Sequence, residues 1–293
     1  MFKKGMKKAV CAILAVTGVC ASLATFTACE TNHPEVEMKI EFNGETYKLD
    51  YKLYRKLAPA TVNHFLKLAE NGYYDGLCVH DYDMSASRLY TGGYSYDDSA
   101  DNGGLVYKDY YNVVKGYTID DPASFWRVWT DSTKTTPTYT LYGEFEGNNY
   151  VVESGAKKPE FGSLTMYYTA KDTDARVSVV KSDGEIGSRA YANNSATSLF
   201  YIALSSERGS DNYCTFATLE DDSVETLEAL QEAIETYIED NYGDDEENEE
   251  DFVTETYLYV DEDDAYVGGH NGRVAYDVPN EPIVIKSVKV KKY

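Results

Sequence analysis

The sequence predicts a mainly β domain that carries two α-helices. Val36 to Phe42 and Thr46 to Tyr54 alternate, are rich in β-formers and flank Asn43-Gly44, the signature of a hairpin. Val62, Phe65, Leu66 and Ala69 recur at helical spacing, as do Leu227, Leu230, Ile234 and Ile238. Thr254 to Val260, Arg273 to Val278 and Pro282 to Val290 read as further strands.

The elements follow in order. Pro59 suits the first turn of a helix, where its missing N–H has no partner to lose, and Asn71-Gly72 ends that helix. Gly72-Tyr73-Tyr74-Asp75-Gly76 is a turn into a strand that runs through Cys78 to Asp81. Tyr82 to Gly93 is strand and loop. Tyr94 to Pro137 is long, polar and aromatic; a stretch of that length predicts short strands or helical turns lying over one side of the domain. The second helix starts near Asp222, with Glu225 three residues on as a capping box. Asp244 to Asp251 is an acidic run that repels itself and reads as a solvated loop. The two strands after it form an added hairpin with Asp261-Glu262-Asp263-Asp264 at its tip.

The first 28 residues are a targeting segment. Lys3, Lys4, Lys7 and Lys8 precede an apolar run from Ala9 to Ala24, too short for a stable span of about 20 residues. Thr27-Ala28-Cys29 then resembles a bacterial lipobox. On that reading Cys29 becomes the first mature residue and carries the lipid, residues 29–35 form a tether, and residues 36–293 form one domain with insertions at about 94–137 and 240–278. The expected location is the extracytoplasmic face of the cell membrane, with acyl chains as the anchor. Cys78 and Cys214 then remain, expected in strands as two buried free thiols.

Four of the 27 basic residues and none of the 50 acidic ones lie in that segment, so the mature chain has 23 against 50, a net charge of −27. Such a charge excludes nucleic acid as a partner, because phosphates are repelled. It also predicts that an anionic bilayer repels the body, which leaves the lipid and not a basic patch to hold it there.

Ala58-Pro59-Ala60-Thr61-Val62-Asn63-His64-Phe65-Leu66 and the Gly-Tyr-Tyr-Asp-Gly turn resemble the opening of the cyclophilins, the prolyl isomerase family. Gly143-Glu144-Phe145, Gly162-Ser163-Leu164-Thr165-Met166, Asn194 to Ile202 and Tyr213 to Ala217 resemble later motifs of the same family. The resemblance implies a closed antiparallel β-barrel capped by two α-helices, with a peptide groove on its outer face. It also implies rotation about X–Pro amides, over a barrier of about 18–20 kcal/mol. No cofactor or metal is needed. The implied partners are Pro-containing peptide segments or unfolded exported proteins.

Carried over position by position, the groove is altered. The family's arginine is Asp81, an acceptor where a donor is needed. The pocket phenylalanine is Arg88, followed by Leu89, and the glutamine is Thr91. The later Gln-Phe-Phe is Leu199-Phe200-Tyr201, Tyr167-Tyr168 follows Met166, and Tyr213 falls near the pocket edge. His80 is kept as a barrel histidine. The peptide-groove candidates are His80, Asp81, Arg88, Leu89, Thr91, Met166, Leu199, Tyr201 and Tyr213. Arg88 lies where it could pair with Asp81 or supply the missing donor; Arg176 and Arg189 are weaker candidates.

Two functional readings follow: an isomerase with weak or lost catalysis, or a non-catalytic module gripping a peptide, a glycan or a partner protein. The 28 tyrosines suit a binding surface, and suit strand propensity equally. A hydrolase lacks a nucleophile–histidine–acid set. Asp97 to Gly103 comes closest to a calcium loop, but Lys108 stands at its twelfth position and no metal is expected.

Overall fold

The computed structural model describes residues 31–100, 103–108, 127–129, 137–148, 157–168, 176–180, 186–190, 195–208, 213–243, 250–260 and 272–293. β1 (Glu35–Phe42) and β2 (Glu45–Leu53) form the expected hairpin in full register, Phe42 opposite Glu45. Asn43 and Gly44 both take positive φ, as a two-residue turn requires. Every second residue of β1 is buried, so Val36, Met38, Ile40 and Phe42 form one wall of the core.

α1 (Pro59–Glu70) has no side-chain cap of its own, because Ala58 precedes it. Glu144 supplies one from elsewhere. Its Oε1 accepts the Ala60 N–H at 3.0 Å and its Oε2 the Thr61 N–H at 2.8 Å. A buried carboxylate there also faces the positive end of the helix dipole. The Gly-Glu-Phe motif is therefore the helix's remote cap. Phe65 of α1 packs on Tyr74, Phe216 and Phe200, with centroids 4.9, 5.1 and 5.6 Å away.

The chain continues through β3 (Leu77–Cys78), β4 (Asp81–Asp83), β5 (Arg88–Thr91), β6 (Tyr94–Tyr96), β7 (Leu105–Tyr107), β8 (Arg127–Trp129) and β9 (Pro137–Tyr142). Then come β10 (Leu164–Tyr168), β11 (Arg176–Val180), β12 (Ile186–Ala190), β13 (Ser195–Ala203) and β14 (Thr215–Leu219). After α2 (Val224–Tyr242) lie β15 (Val253–Val260), β16 (Gly272–Pro279) and β17 (Val284–Lys292). All pairings are antiparallel. β17, β1, β2, β14, β10, β13 and β5 lie side by side in that order, with β3 on the far side of β17 and β4 on the far side of β5.

The mainly β, two-helix class holds. The barrel is not closed by a continuous ladder, which differs from the expectation. β3 and β4 are two and three residues long. At the seam Val79 donates its N–H to Ile283 O at 2.8 Å, while His80 donates to Tyr90 O at 3.0 Å, on opposite sides. The sheet is a strongly curled, interrupted barrel.

Within the first insertion β6 and β7 extend the sheet beyond β3 instead of lying over it, and β8 pairs with β9 and β11. β15 and β16 form the expected added hairpin, and its tip at 261–264 lies outside the described residues. The capping box at α2 does not form. No side chain caps that helix, and Ser223 Oγ instead accepts the Asp50 N–H at 2.9 Å. Leu227, Leu230, Ile234 and Ile238 are its buried stripe, as the spacing predicts. Cys78 and Cys214 are buried and free; Cys214 stands just before β14, not within it.

Candidate functional site

Two registers build the outer face. Asp81 of β4 stands opposite Tyr90 of β5, and Tyr90 stands opposite Tyr201 of β13. Alternation puts Arg88 on the same face as Tyr90. Tyr82, Leu89 and Ile202 form the next row and point inward, where Leu89 and Ile202 are fully buried. Met166 stands opposite Phe200 in the core. Thr91 is buried and donates its hydroxyl to Cys78 O at 2.7 Å. Leu199 is also buried. Leu89, Thr91 and Met166 are thus placed in the wall of the barrel, while Asp81, Arg88, Tyr201 and Tyr213 gather on its outside.

Arg88 does not pair with Asp81. It forms a two-pronged ion pair with Glu207, Nε to Oε1 at 2.7 Å and Nη2 to Oε2 at 2.5 Å. Nη1 donates to the Tyr90 hydroxyl at 3.0 Å and Nη2 to the Tyr213 hydroxyl at 2.9 Å. Four of the five guanidinium N–H groups are therefore engaged. The cation also lies 4.9 Å from the Tyr201 ring centroid and 5.7 Å from that of Tyr213. Tyr90 packs against Tyr201 and edge-on against Tyr167. The Glu207 carboxylate holds Arg88 protonated far above its ordinary range, and burial pushes the Tyr90 phenol up to about 12.

The second half of the site lies under the added hairpin. β16 packs against β4. Asp277 donates its backbone N–H to Asp81 Oδ1 at 3.0 Å, and the Tyr276 ring sits edge-on to His80 with centroids 4.9 Å apart. Tyr94 packs on the imidazole at 5.0 Å and on Tyr276 at 5.8 Å, so the three rings form one cluster. Burial pushes the Asp81 carboxyl up to about 6, partly offset by the Asp277 N–H and raised further by the nearby Asp277 and Asp83 carboxylates. Burial lowers His80 to about 3, so its ring is neutral.

Rotation of an X–Pro amide needs a donor aimed at the prolyl nitrogen. Asp81 is ionised at neutral pH and accepts only. Thr91 has turned its hydroxyl inward. Arg88 retains one N–H outside the four bonds to its neighbours. What the face does offer is aromatic area, from the partly exposed Tyr90, Tyr167 and Tyr213, while Tyr201 is buried beneath Arg88 and Tyr90. Arg176 and Arg189 lie on β11 and β12, and their side chains are outside the described residues. Asp97 uses Oδ1 to accept the Ser99 N–H and hydroxyl at 2.9 and 2.6 Å. Glu207, Tyr276 and Asp277 had no signal in the sequence: each reaches the site from a distant segment.

The statistical model of the family described as cyclophilin type peptidyl-prolyl cis-trans isomerase/CLD matches residues 37–256. A "Putative peptidyl-prolyl cis-trans isomerase" of Staphylococcus haemolyticus is 35% identical over 57 residues, covering 17% of this chain and 29% of that protein. The chain therefore matches under a third of that relative's length. A cyclophilin type peptidyl-prolyl cis-trans isomerase of Cryptosporidium parvum is 15% identical, covers 89% of this chain and 99% of its own, and superposes with a TM-score of 0.42. For the Mimivirus cyclophilin the identity is 14%, the coverage 90% and 91%, and the TM-score 0.40. The match to the family model spans most of the chain and agrees with the motifs along it: the chain belongs to the cyclophilin-type peptidyl-prolyl cis-trans isomerase family.

Proposed function

We propose that this chain is an exported, lipid-anchored cyclophilin-like protein that holds Pro-containing segments of other extracytoplasmic proteins and rotates their X–Pro bonds weakly or not at all. One observation carries the catalytic part: the nearby guanidinium is held by Glu207, while the position that carries the family's arginine is Asp81, half-buried beneath β16. The targeting segment and Thr27-Ala28-Cys29 support the anchored part. The tyrosine-lined face also suits the second reading, a non-catalytic module for a peptide, glycan or partner protein.

The test is X–Pro exchange in a short peptide, followed by NMR with the full chain in detergent. The expected result is an exchange rate close to that of the peptide alone. A large enhancement that Arg88→Ala abolishes would overturn the proposal. For the anchor, intact mass of the protein purified from membranes should show diacylglycerol on Cys29, and Cys29→Ser should lack it.

A further inference from the structure

Among the described residues, β15 and β16 form a sheet of their own and join no ladder of the barrel. β16 nevertheless packs against β4. Asp277 stands opposite Glu255 of β15, yet its N–H goes to the other side, to Asp81 Oδ1 at 3.0 Å. Next to it Tyr276 is buried against His80 and Tyr94, with centroids 4.9 and 5.8 Å away. Thr256 of β15, opposite Tyr276, lies over Gly103, where a Cβ would collide with its hydroxyl. A side chain that only donates could not take the Asp277 N–H, so an aspartate at position 81 is what the hairpin needs there.

The base of the hairpin is held differently. Asn280 donates its N–H to Phe252 O at 2.8 Å and its Nδ2 to Asp251 O at 2.8 Å, and its Oδ1 accepts the Thr254 hydroxyl at 2.6 Å. Phe252 is fully buried against Phe42, Tyr82 and Tyr237. The base is thus fixed to the core, whereas the contact at β4 works against itself. It buries the Asp81 carboxylate and brings the Asp277 carboxylate toward it. It also leaves His80 Nδ1 buried with no hydrogen-bond partner among the described residues. The docked state alone bears these costs. Arg88 does not offset the two acids, because Glu207 holds it. Arg273, four residues before Asp277 on β16, has its side chain outside the described residues.

We infer that the β15–β16 hairpin is a built-in occupant of the groove at β4, latched by Asp81 and Tyr276, and that an outside peptide reaches the face beside Asp81 only when β16 lifts about its fixed base. The inference rests on the peptide-holding reading proposed above. A protein whose binding-competent state is only partly populated binds with an affinity reduced by that fraction. The latch therefore sets the affinity of the groove. Changes in the hairpin that never touch the peptide then alter binding in either direction, according to whether they tighten or loosen the contact with Asp81.

The test combines hydrogen exchange at the Asp277 N–H, read by NMR, with binding of a blocked Ala-Ala-Pro-Phe peptide to the full chain in detergent. Asp81→Asn and Asp277→Asn keep the N–H···O bond and remove the repulsion between the two carboxylates. Both should slow the exchange and weaken the peptide by about threefold. Asp81→Ala lacks the charge and the acceptor alike, so it should exchange about tenfold faster than Asp81→Asn and bind the peptide more tightly by a similar factor. Tyr276→Ala loosens the latch from the hairpin side and should move both readings the same way relative to the parent. Faster exchange with an unchanged peptide affinity would mean that the hairpin only covers the edge of β4; that overturns the inference and leaves the peptide reading standing. Equal exchange in Asp81→Ala and Asp81→Asn would overturn Asp81 as the latch. A peptide that binds neither the parent nor the loosened variants would remove the peptide reading and the inference with it.

Discussion

Arg88 and Glu207 are locked together across 119 residues of sequence by two parallel N–H···O bonds. Hydrogen bonds to charged groups contribute about 1.5–3 kcal/mol each when broken one-sidedly. Both side chains keep some contact with water, 18% and 11% exposed, so the lower end applies. Glu207→Ala should therefore cost about 2 kcal/mol in urea unfolding. It should also release two guanidinium N–H groups and raise X–Pro exchange above that of the parent. A destabilised variant with an unchanged exchange rate would mean that the pair is structural alone.

Asp81 gives a pH dependence with a definite sign. Its carboxyl ionises at about 6 in the folded protein, against an ordinary 3.8. Between those values the folded state binds more protons than the unfolded one, so stability falls as pH rises. The cost is absent below about pH 4, grows to about pH 6 and is complete above it, where it amounts to about 2–3 kcal/mol. Asp81→Asn keeps an acceptor for the Asp277 N–H. It should be more stable than the parent at pH 7 by about that amount, and equal to it near pH 4.

His64 and His80 act in the opposite direction. Burial lowers both to about 3, so the unfolded state takes up their protons first as pH falls from 6.5. The stability they hold is fully present above 6.5 and is lost toward pH 3. At pH 5 each contributes a loss of roughly 2 kcal/mol. His80→Phe retains a ring against Tyr94 and Tyr276 and should flatten the slope of stability between pH 7 and 5 by about one proton. An unchanged slope would show that His80 is not the group being titrated.

Glu144 should behave as part of α1. Glu144→Ala leaves the Ala60 and Thr61 N–H groups without their acceptor in a buried place, at a cost of about 2–4 kcal/mol. Glu144→Gln keeps one acceptor and should lose about half as much. Hydrogen exchange at Thr61 and Val62 should accelerate in the same order.

Local pattern carried much of the fold. The Asn43-Gly44 turn, the stripe of Val62, Phe65, Leu66 and Ala69, and the stripe from Leu227 to Ile238 all depend on neighbours within one turn or one hairpin, so sequence spacing reveals them. The site did not follow from such spacing. Asp81 and Arg88 were placed correctly on adjoining strands, yet the register sets Asp83 opposite Arg88 and Tyr90 opposite Asp81. That two-residue offset, together with Glu207 arriving from a loop, decided the arginine's partner. The start of α2 shows the same limit: Asp222 and Glu225 have the spacing of a capping box, but no side chain caps the helix, and the hydroxyl of Ser223 is taken by the Asp50 N–H of β2.

Tyr276 tests whether the hairpin governs the groove. Its ring covers His80, and the next residue, Asp277, donates to Asp81, so one strand both excludes water from the pair and holds it. Tyr276→Ala removes a buried aromatic side chain and should cost about 3–5 kcal/mol. With water admitted, the Asp81 carboxyl should return from about 6 toward the ordinary carboxylate range, and His80 should rise toward 6.5. Tyr276→Phe keeps the ring and should leave both values in place. NMR titration of Asp81 and His80 in the two variants reads this directly. If Asp81 still titrates near 6 in Tyr276→Ala, the dryness of the site comes from the barrel itself, and β16 is only a neighbour to it.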